Sequence, residues 1–195
     1  YEEAPLFGRP RLYDSPNGIA YPDNPIRFGC WSLAVLESIK KMGWRPDILH
    51  CNDWQTAMIP VYLHFHPTLN NDPFFQSTGI LYSIHNMAYQ GLYPLQTATS
   101  LGLPDCCRSP GSMEFHGQLN LMKGGLLYSD RLVTVSRKYS EEIRTPEFGC
   151  GLEGVMQDRS DVLCGILNGI DTEIWNPVND PLITANYGPG QLDGK

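Results

Sequence analysis

Apolar residues recur at helical spacing between Cys30 and Met42, at Trp31, Val35, Leu36 and Ile39. This predicts a helix with one buried stripe. Lys40 and Lys41 in its last turn and Gly43 just after it are stop signals, because cations suit the carbonyl end of a helix. The short apolar run Asp47-Ile48-Leu49-His50 suits a buried strand. Asn52 or Asp53 then caps a second helix carrying Trp54, Ala57, Met58, Val61, Tyr62 and Phe65, with a kink or early break expected at Pro60. A loop from Pro67 to Thr78 leads into a second strand, Gly79 to Ile84. Residues 86–112 read as loop, with a short helix near Leu95 to Leu101. Ser112 is placed as the cap of a helix from Met113 to Tyr128. A strand at Leu132 to Val135, a helix at Lys138 to Arg144 and a strand at Gly165 to Leu167 complete the series.

Alternating strands and helices predict an α/β fold around a parallel sheet. The strands are short and nearly uncharged, as expected where helices cover both faces. Residues 1–28 are rich in Pro, Gly, Asp and Asn and predict an extended loop region. Residues 29–187 hold the main body, and residues 188–195 read as a frayed tail. The opening Tyr1 and the loop-rich start suggest a chain that begins inside a larger one.

Composition narrows the function classes. The 195 residues carry 14 Lys and Arg against 21 Asp and Glu, a net charge of −7. Such a chain is a poor non-specific partner for nucleic acid or an anionic membrane, and no apolar run reaches spanning length. No Lys or Arg occurs between Arg45 and Arg108. The six cysteines form no C-x-x-C pair, and His64-x-His66 has no nearby partner, so no metal site is expected. Free thiols in a reducing cytoplasm are the expectation.

Ligands of open parallel sheets bind at the carboxyl ends of the strands. Those ends are polar here: His50-Cys51-Asn52-Asp53-Trp54, His85-Asn86, Ser136, and Asn168-Gly169-Ile170-Asp171. Asn, Asp and His hydrogen-bond in fixed directions, which suits sugar hydroxyls. Trp54 or Tyr89 could cover an apolar sugar face. Each of these residues taken singly also fits a helix cap or a satisfied core group; the set points to a binding cleft. Gly149-Cys150-Gly151-Leu152-Glu153-Gly154 matches G-x-G-x-x-G, but Pro146 argues against the preceding strand that a dinucleotide site needs.

The strand-end clusters resemble the bacterial glycogen synthase and plant starch synthase family. The resemblance rests on Leu6 to Arg9, Asn17 to Asn24, Asp47 to Gln55, Ile84 to Gly91, Met122 to Gly125, Thr145 to Gly154 and Gly165 to Pro177, in that order over nearly the whole chain. It implies the N-terminal, Rossmann-like half of a two-domain (GT-B type) glycosyltransferase, with the start of that half and the nucleotide-binding C-terminal domain absent. An unpaired sheet edge would follow.

The implied reaction moves glucose from ADP-glucose to the non-reducing end of an α-1,4-glucan with retention and without a cofactor. Carried over by motif, Asp53 and His85 are the catalytic candidates. Trp54, Asn86, Tyr89 and Asn168 are the substrate-binding ones. The cations for the diphosphate would come from outside these residues. A non-catalytic glucan-binding module and a UDP-glucose-dependent enzyme remain the alternatives. The location implied is cytoplasmic, or plastid in a plant.

Overall fold

Proline sets the start of the first long helix. The computed structural model describes residues 4–195, and positions 1–3 of the predicted opening loop lie outside the described residues. A single turn, α1 (Ala4–Phe7), precedes α2 (Asn24–Lys41). Helix α2 begins at Asn24 rather than Cys30, because Pro25 sits in its first turn, where no N–H is needed and the fixed φ is already helical. Strand β1 (Ile48–Asn52) follows, then α3 (Asp53–Thr56) and α4 (Met58–Phe65). The expected break falls at Ala57, which leaves Pro60 in the tolerant first turn of α4.

Strand β2 (Gly79–Ile84) and the one-turn α5 (Thr97–Ser100) lie where the pattern placed them. The segment between β2 and the next long helix differs. It holds β3 (Leu92–Pro94), β4 (Glu114–Phe115) and β5 (Gln118–Asn120), a small antiparallel sheet in the order β3-β5-β4. His116 (φ 50°) and Gly117 (φ 81°) make the tight β4–β5 turn, whose two left-handed residues match the twist of a hairpin. Helix α6 (Leu121–Tyr128) therefore starts after the turn and not at Met113. Its cap is Asn120, whose Oδ1 accepts from Lys123 N at 2.9 Å. Ser112 instead bonds the Tyr128 hydroxyl at 2.7 Å.

Strand β6 (Arg131–Thr134) and α7 (Arg137–Glu142) follow, then α8 (Glu153–Asp158) and β7 (Leu163–Gly165). Strand β7 ends at Gly165 and not at Leu167. Turns, not a strand, precede the Gly149–Gly154 loop, which feeds α8. The predicted frayed tail holds a turn closed by Gly188 N to Gln191 O (2.9 Å) and Gln191 N to Gly188 O (3.0 Å).

The main sheet is parallel throughout, in the order β1-β2-β6-β7. That order advances in one direction, so right-handed crossovers put every connecting helix on the same face. There the core forms around Leu36, Met58, Val61, Tyr82, Leu121, Leu126 and Met156. The other face carries no helix among the described residues, against the expectation of two covered faces. Strand β1 alternates accordingly: Ile48, His50 and Asn52 are exposed, while Cys51 is buried. Uncharged strands signalled burial on both faces, but in β1 only the helix-covered side is buried.

Candidate functional site at the carboxyl edge

Register brings the ends of β1 and β2 together. Asn52 pairs with Ser83, which sets Asp53 and His85 side by side just beyond the sheet. The Asp53 Oδ1 accepts from His85 N at 2.8 Å, and Asn52 Oδ1 lies 3.1 Å from His85 Nε2. Asp53 has φ 54°, a left-handed conformation that aspartate tolerates better than most side chains. Thr56 fixes the turn: its Oγ1 accepts from Asn52 N at 2.5 Å and donates to Asn52 O at 2.8 Å. Behind it, burial pushes the Cys51 thiol up to about 12, and a Thr56 hydrogen bond offsets only part of that.

The loop after β2 is held from three sides. Tyr139 of α7 receives the Met87 N–H on its hydroxyl oxygen at 3.0 Å. Asn86 Oδ1 accepts from Ala88 N at 2.9 Å. Buried Gln90 donates to Met87 O and Cys150 O, both at 3.0 Å, and accepts from Asn120 Nδ2 at 2.7 Å. This network joins the loop to the glycine-rich turn and to the cap of α6. Gly91 (φ 65°) lies against the Trp54 ring, where an added Cβ would sit 2.7 Å from Cε3.

The candidate residues fall into two adjoining hollows. One, of about 600 Å³, is lined by Asp53, Trp54, Asn86 and Tyr89. The other, of about 220 Å³, holds His85 and Asn168 together with His50, whose Nε2 lies 2.6 Å from Ser83 Oγ. The Asp53–His85 bond is the seam between them. Trp54 is only 8% exposed, wedged edge-on to Phe28 at 5.0 Å and tilted to Tyr93 at 5.9 Å. It offers the hollow an edge rather than an open ring. Tyr89, 67% exposed, is an open aromatic surface of the hollow.

Sequence reasoning assigned no site role to the far wall of the larger hollow. That wall is the arm before α2, represented by Tyr13 and Asp14, together with Asn24 at the start of α2. A buried cation clasps the arm. Arg27 donates to Leu6 O (2.6 Å), Leu12 O (2.8 Å) and Asn24 Oδ1 (2.7 Å), and Asn24 Nδ2 donates to Tyr13 O at 2.8 Å. Arg9 pairs with Asp23 in the same segment. The run Asn17 to Asn24 was visible, but nothing local says that a residue some 40 positions before Asp53 faces it. No Lys or Arg lines either hollow. No cluster of three metal-ligating side chains occurs among the described residues.

Residues 1–158 match the starch synthase catalytic domain family. The chain belongs to that family. It is 48% identical over 194 residues to glycogen synthase 2 of Geobacter sulfurreducens, covering 100% of this chain and 40% of that protein. It is 45% identical to glycogen synthase 1 of Methylococcus capsulatus, covering 97% of this chain and 37% of that one. Among solved structures it is similar to the catalytic domain of starch synthase IV from Arabidopsis thaliana, bound to ADP and acarbose. The TM-score is 0.76 at 34% identity, over 97% of this chain and 37% of the other. The chain thus spans about 40% of the length of the curated relatives it matches. The parallel α/β fold is that of a starch synthase catalytic domain in part, and the family is one of glycosyltransferases.

Proposed function

We propose that these residues form the acceptor side of a glucosyltransferase site. In the full-length protein that site moves glucose from ADP-glucose to the non-reducing end of an α-1,4-glucan, with retention. The observation that carries the reading is the Asp53–His85 seam: the Asp53 carboxylate accepts from the His85 main-chain N–H, the His85 imidazole faces the Asn52 amide, and no Lys or Arg lines either hollow at this carboxyl edge. Glucosyl transfer builds positive charge on the sugar ring. A carboxylate favours that charge, and Asp53 lies at the acceptor end of the hollow to supply it. His85 and Asn86 hold the transferred glucose near its anomeric carbon, and Asn168 contacts it from the opposite side. Tyr89 covers a sugar face, and the Trp54 edge closes the floor.

The departing diphosphate needs donors or cations aimed at it. No Lys or Arg lines either hollow, so a cation for the diphosphate is supplied from outside these two linings in the full-length protein. The ADP and acarbose held by the Arabidopsis relative support a nucleotide donor and a sugar-like acceptor. The protein works in the cytoplasm, or in a plastid if its source is a plant. The test is transfer of labelled glucose to maltooligosaccharide by the full-length protein, from ADP-glucose and UDP-glucose in parallel. Transfer from ADP-glucose that falls tenfold or more in Asp53→Ala and His85→Ala is expected. Preference for UDP-glucose, or wild-type rates in both variants, would overturn the reading.

A further inference from the structure

Residues 85–91 link β2 to β3 with neither helix nor strand, yet they carry His85, Asn86 and Tyr89, all exposed. Such a segment has no ladder of its own, so other contacts must fix it if its side chains are to meet a sugar in one geometry. The fixed point is Met87, whose side chain is wholly buried. Side chains grip both of its main-chain polar groups. The N–H donates to the Tyr139 hydroxyl at 3.0 Å, and the carbonyl accepts from Gln90 Nε2 at 3.0 Å.

Each grip is itself set from outside the loop. Tyr139 lies in the first turn of α7, where its own N–H donates to the capping Ser136 Oγ at 2.9 Å. The same β6–α7 corner holds the end of β2, because Thr134 Oγ1 donates to Ile84 O at 2.7 Å. The direction of the Gln90 amide follows from α6. Asn120 Oδ1 is committed to Lys123 N as the helix cap, which leaves Asn120 Nδ2 to donate to Gln90 Oε1 at 2.7 Å. Gln90 Nε2 is therefore the end that faces Met87 O and Cys150 O. Gln90 and Asn120 are buried, so water does not replace a partner lost here.

Tyr139, Gln90 and Asn120 line neither hollow of the proposed active site. They reach the sugar only through Met87, the residue that follows His85-Asn86 in the chain. We propose that Tyr139 and Gln90 are positioning residues for glucosyl transfer, which fix His85 and Asn86 against the reacting sugar, and that Asn120 supports them by orienting the Gln90 amide. The inference rests on the roles given to His85 and Asn86 above. A misplacement on the order of 1 Å costs about a hundredfold in rate. His85 and Asn86 hold the transferred glucose and not the acceptor, so a loop loosened at one grip loses turnover while acceptor affinity stays.

The test uses the full-length protein and three variants, each shown by a thermal melt to fold. Tyr139→Phe keeps the ring and removes the oxygen that receives Met87 N. Asn120→Asp keeps the acceptor that caps α6 but offers Gln90 an oxygen in place of a donor, which turns its amide around. Thr78→Val is the comparison: it removes a hydroxyl that donates to Pro46 O at 2.8 Å, at the other edge of the sheet. Transfer kinetics from ADP-glucose to maltooligosaccharide are read beside amide hydrogen exchange in the peptide spanning residues 85–91. Tyr139→Phe and Asn120→Asp are expected to lower kcat about tenfold with the maltooligosaccharide KM within about twofold of wild type, and to speed exchange in that peptide. Thr78→Val should keep kcat within about twofold and leave the peptide unchanged. Wild-type kcat in Tyr139→Phe, an equal kcat loss in Thr78→Val, or a loss confined to KM overturns the proposal. If Asn120→Asp does not fold, Tyr139→Phe decides alone. Failure of the wild type to transfer glucose sinks the catalytic reading instead. Exchange then decides the pinning of the loop: faster in Tyr139→Phe than in Thr78→Val supports it, and equal exchange overturns it.

Discussion

Replacing Asp53 separates the positioning role of this residue from its charge. Its carboxylate accepts the His85 N–H at 2.8 Å, and its backbone sits at φ 54°. Asp53→Ala removes the acceptor and leaves an alanine in the left-handed region. A hydrogen bond to a charged group is worth about 1.5–3 kcal/mol. His85 is exposed, so water recovers part of that, leaving about 1 kcal/mol. The left-handed backbone costs a non-glycine residue about 1 kcal/mol more. Asp53→Ala therefore loses about 2 kcal/mol, a melting shift of roughly 4–8 °C for a chain of this size. Asp53→Gly recovers the backbone part and loses about half as much. Asp53→Asn keeps both the acceptor oxygen and the tolerance of positive φ, and melts within about 1–2 °C of wild type. In the full-length protein Asn nonetheless loses turnover by tenfold or more, because an amide cannot balance an oxocarbenium-like charge. Thermal melts and transfer kinetics on the three variants check this. Equal stability of Ala, Gly and Asn would refute the positioning argument. Near-wild-type turnover in Asn would refute the electrostatic one.

The same glycine-to-alanine change has opposite signs in two helices. In Gly125→Ala the new Cβ sits 2.4 Å from Tyr82 Cε2 in the core, for a net loss of about 1–3 kcal/mol. In Gly154→Ala it meets nothing within 4 Å and gains up to about 1 kcal/mol; parallel melts decide. Native-state labelling with a thiol reagent at pH 8 should modify exposed Cys106, Cys150 and Cys164 and spare Cys51 and Cys107 until unfolding, since burial lifts both of the latter thiols to about 12. The hydrogen bond to Lys40, aided by Phe74 N, holds Asp72 below its usual 3.8. Its stabilisation is present above that value and is lost as pH falls through the lowered one, so the melting gap between wild type and Asp72→Asn closes below about pH 4. A gap that stays constant down to pH 2 would count against the pairing.

Local patterns sufficed wherever neighbours in sequence supply the physics. The helix through Leu36 and Ile39, its stop at Lys40-Lys41-Gly43, the early break before Pro60 and strand β2 all follow from spacing, charge and proline geometry within a few residues, although Trp31, expected in the buried stripe, is exposed. The carboxyl-edge candidates were visible for the same reason: polar residues directly follow apolar strands at Asn52-Asp53 and His85-Asn86. The hairpin β4–β5 was not, because Phe115-His116-Gly117-Gln118 lacks the Asn-Gly or Asp-Gly turn signal, and the apolar residues around it mimic the start of α6.

What only the tertiary structure decided is distance and orientation. Parallel register brought Asp53 to His85, and buried Arg27 folded the arm of Tyr13 and Asp14 over the hollow. Packing against Phe28 and Gly91 turned Trp54 inward, while Tyr89 stays open. One-directional strand order put all the helices on one face, although uncharged strands look the same whether one face or two are covered. The sequence by itself determined which polar residues stand at the strand ends. Long-range pairing decided which of them share a hollow, because contacts between residues tens of positions apart leave no periodic trace in the chain.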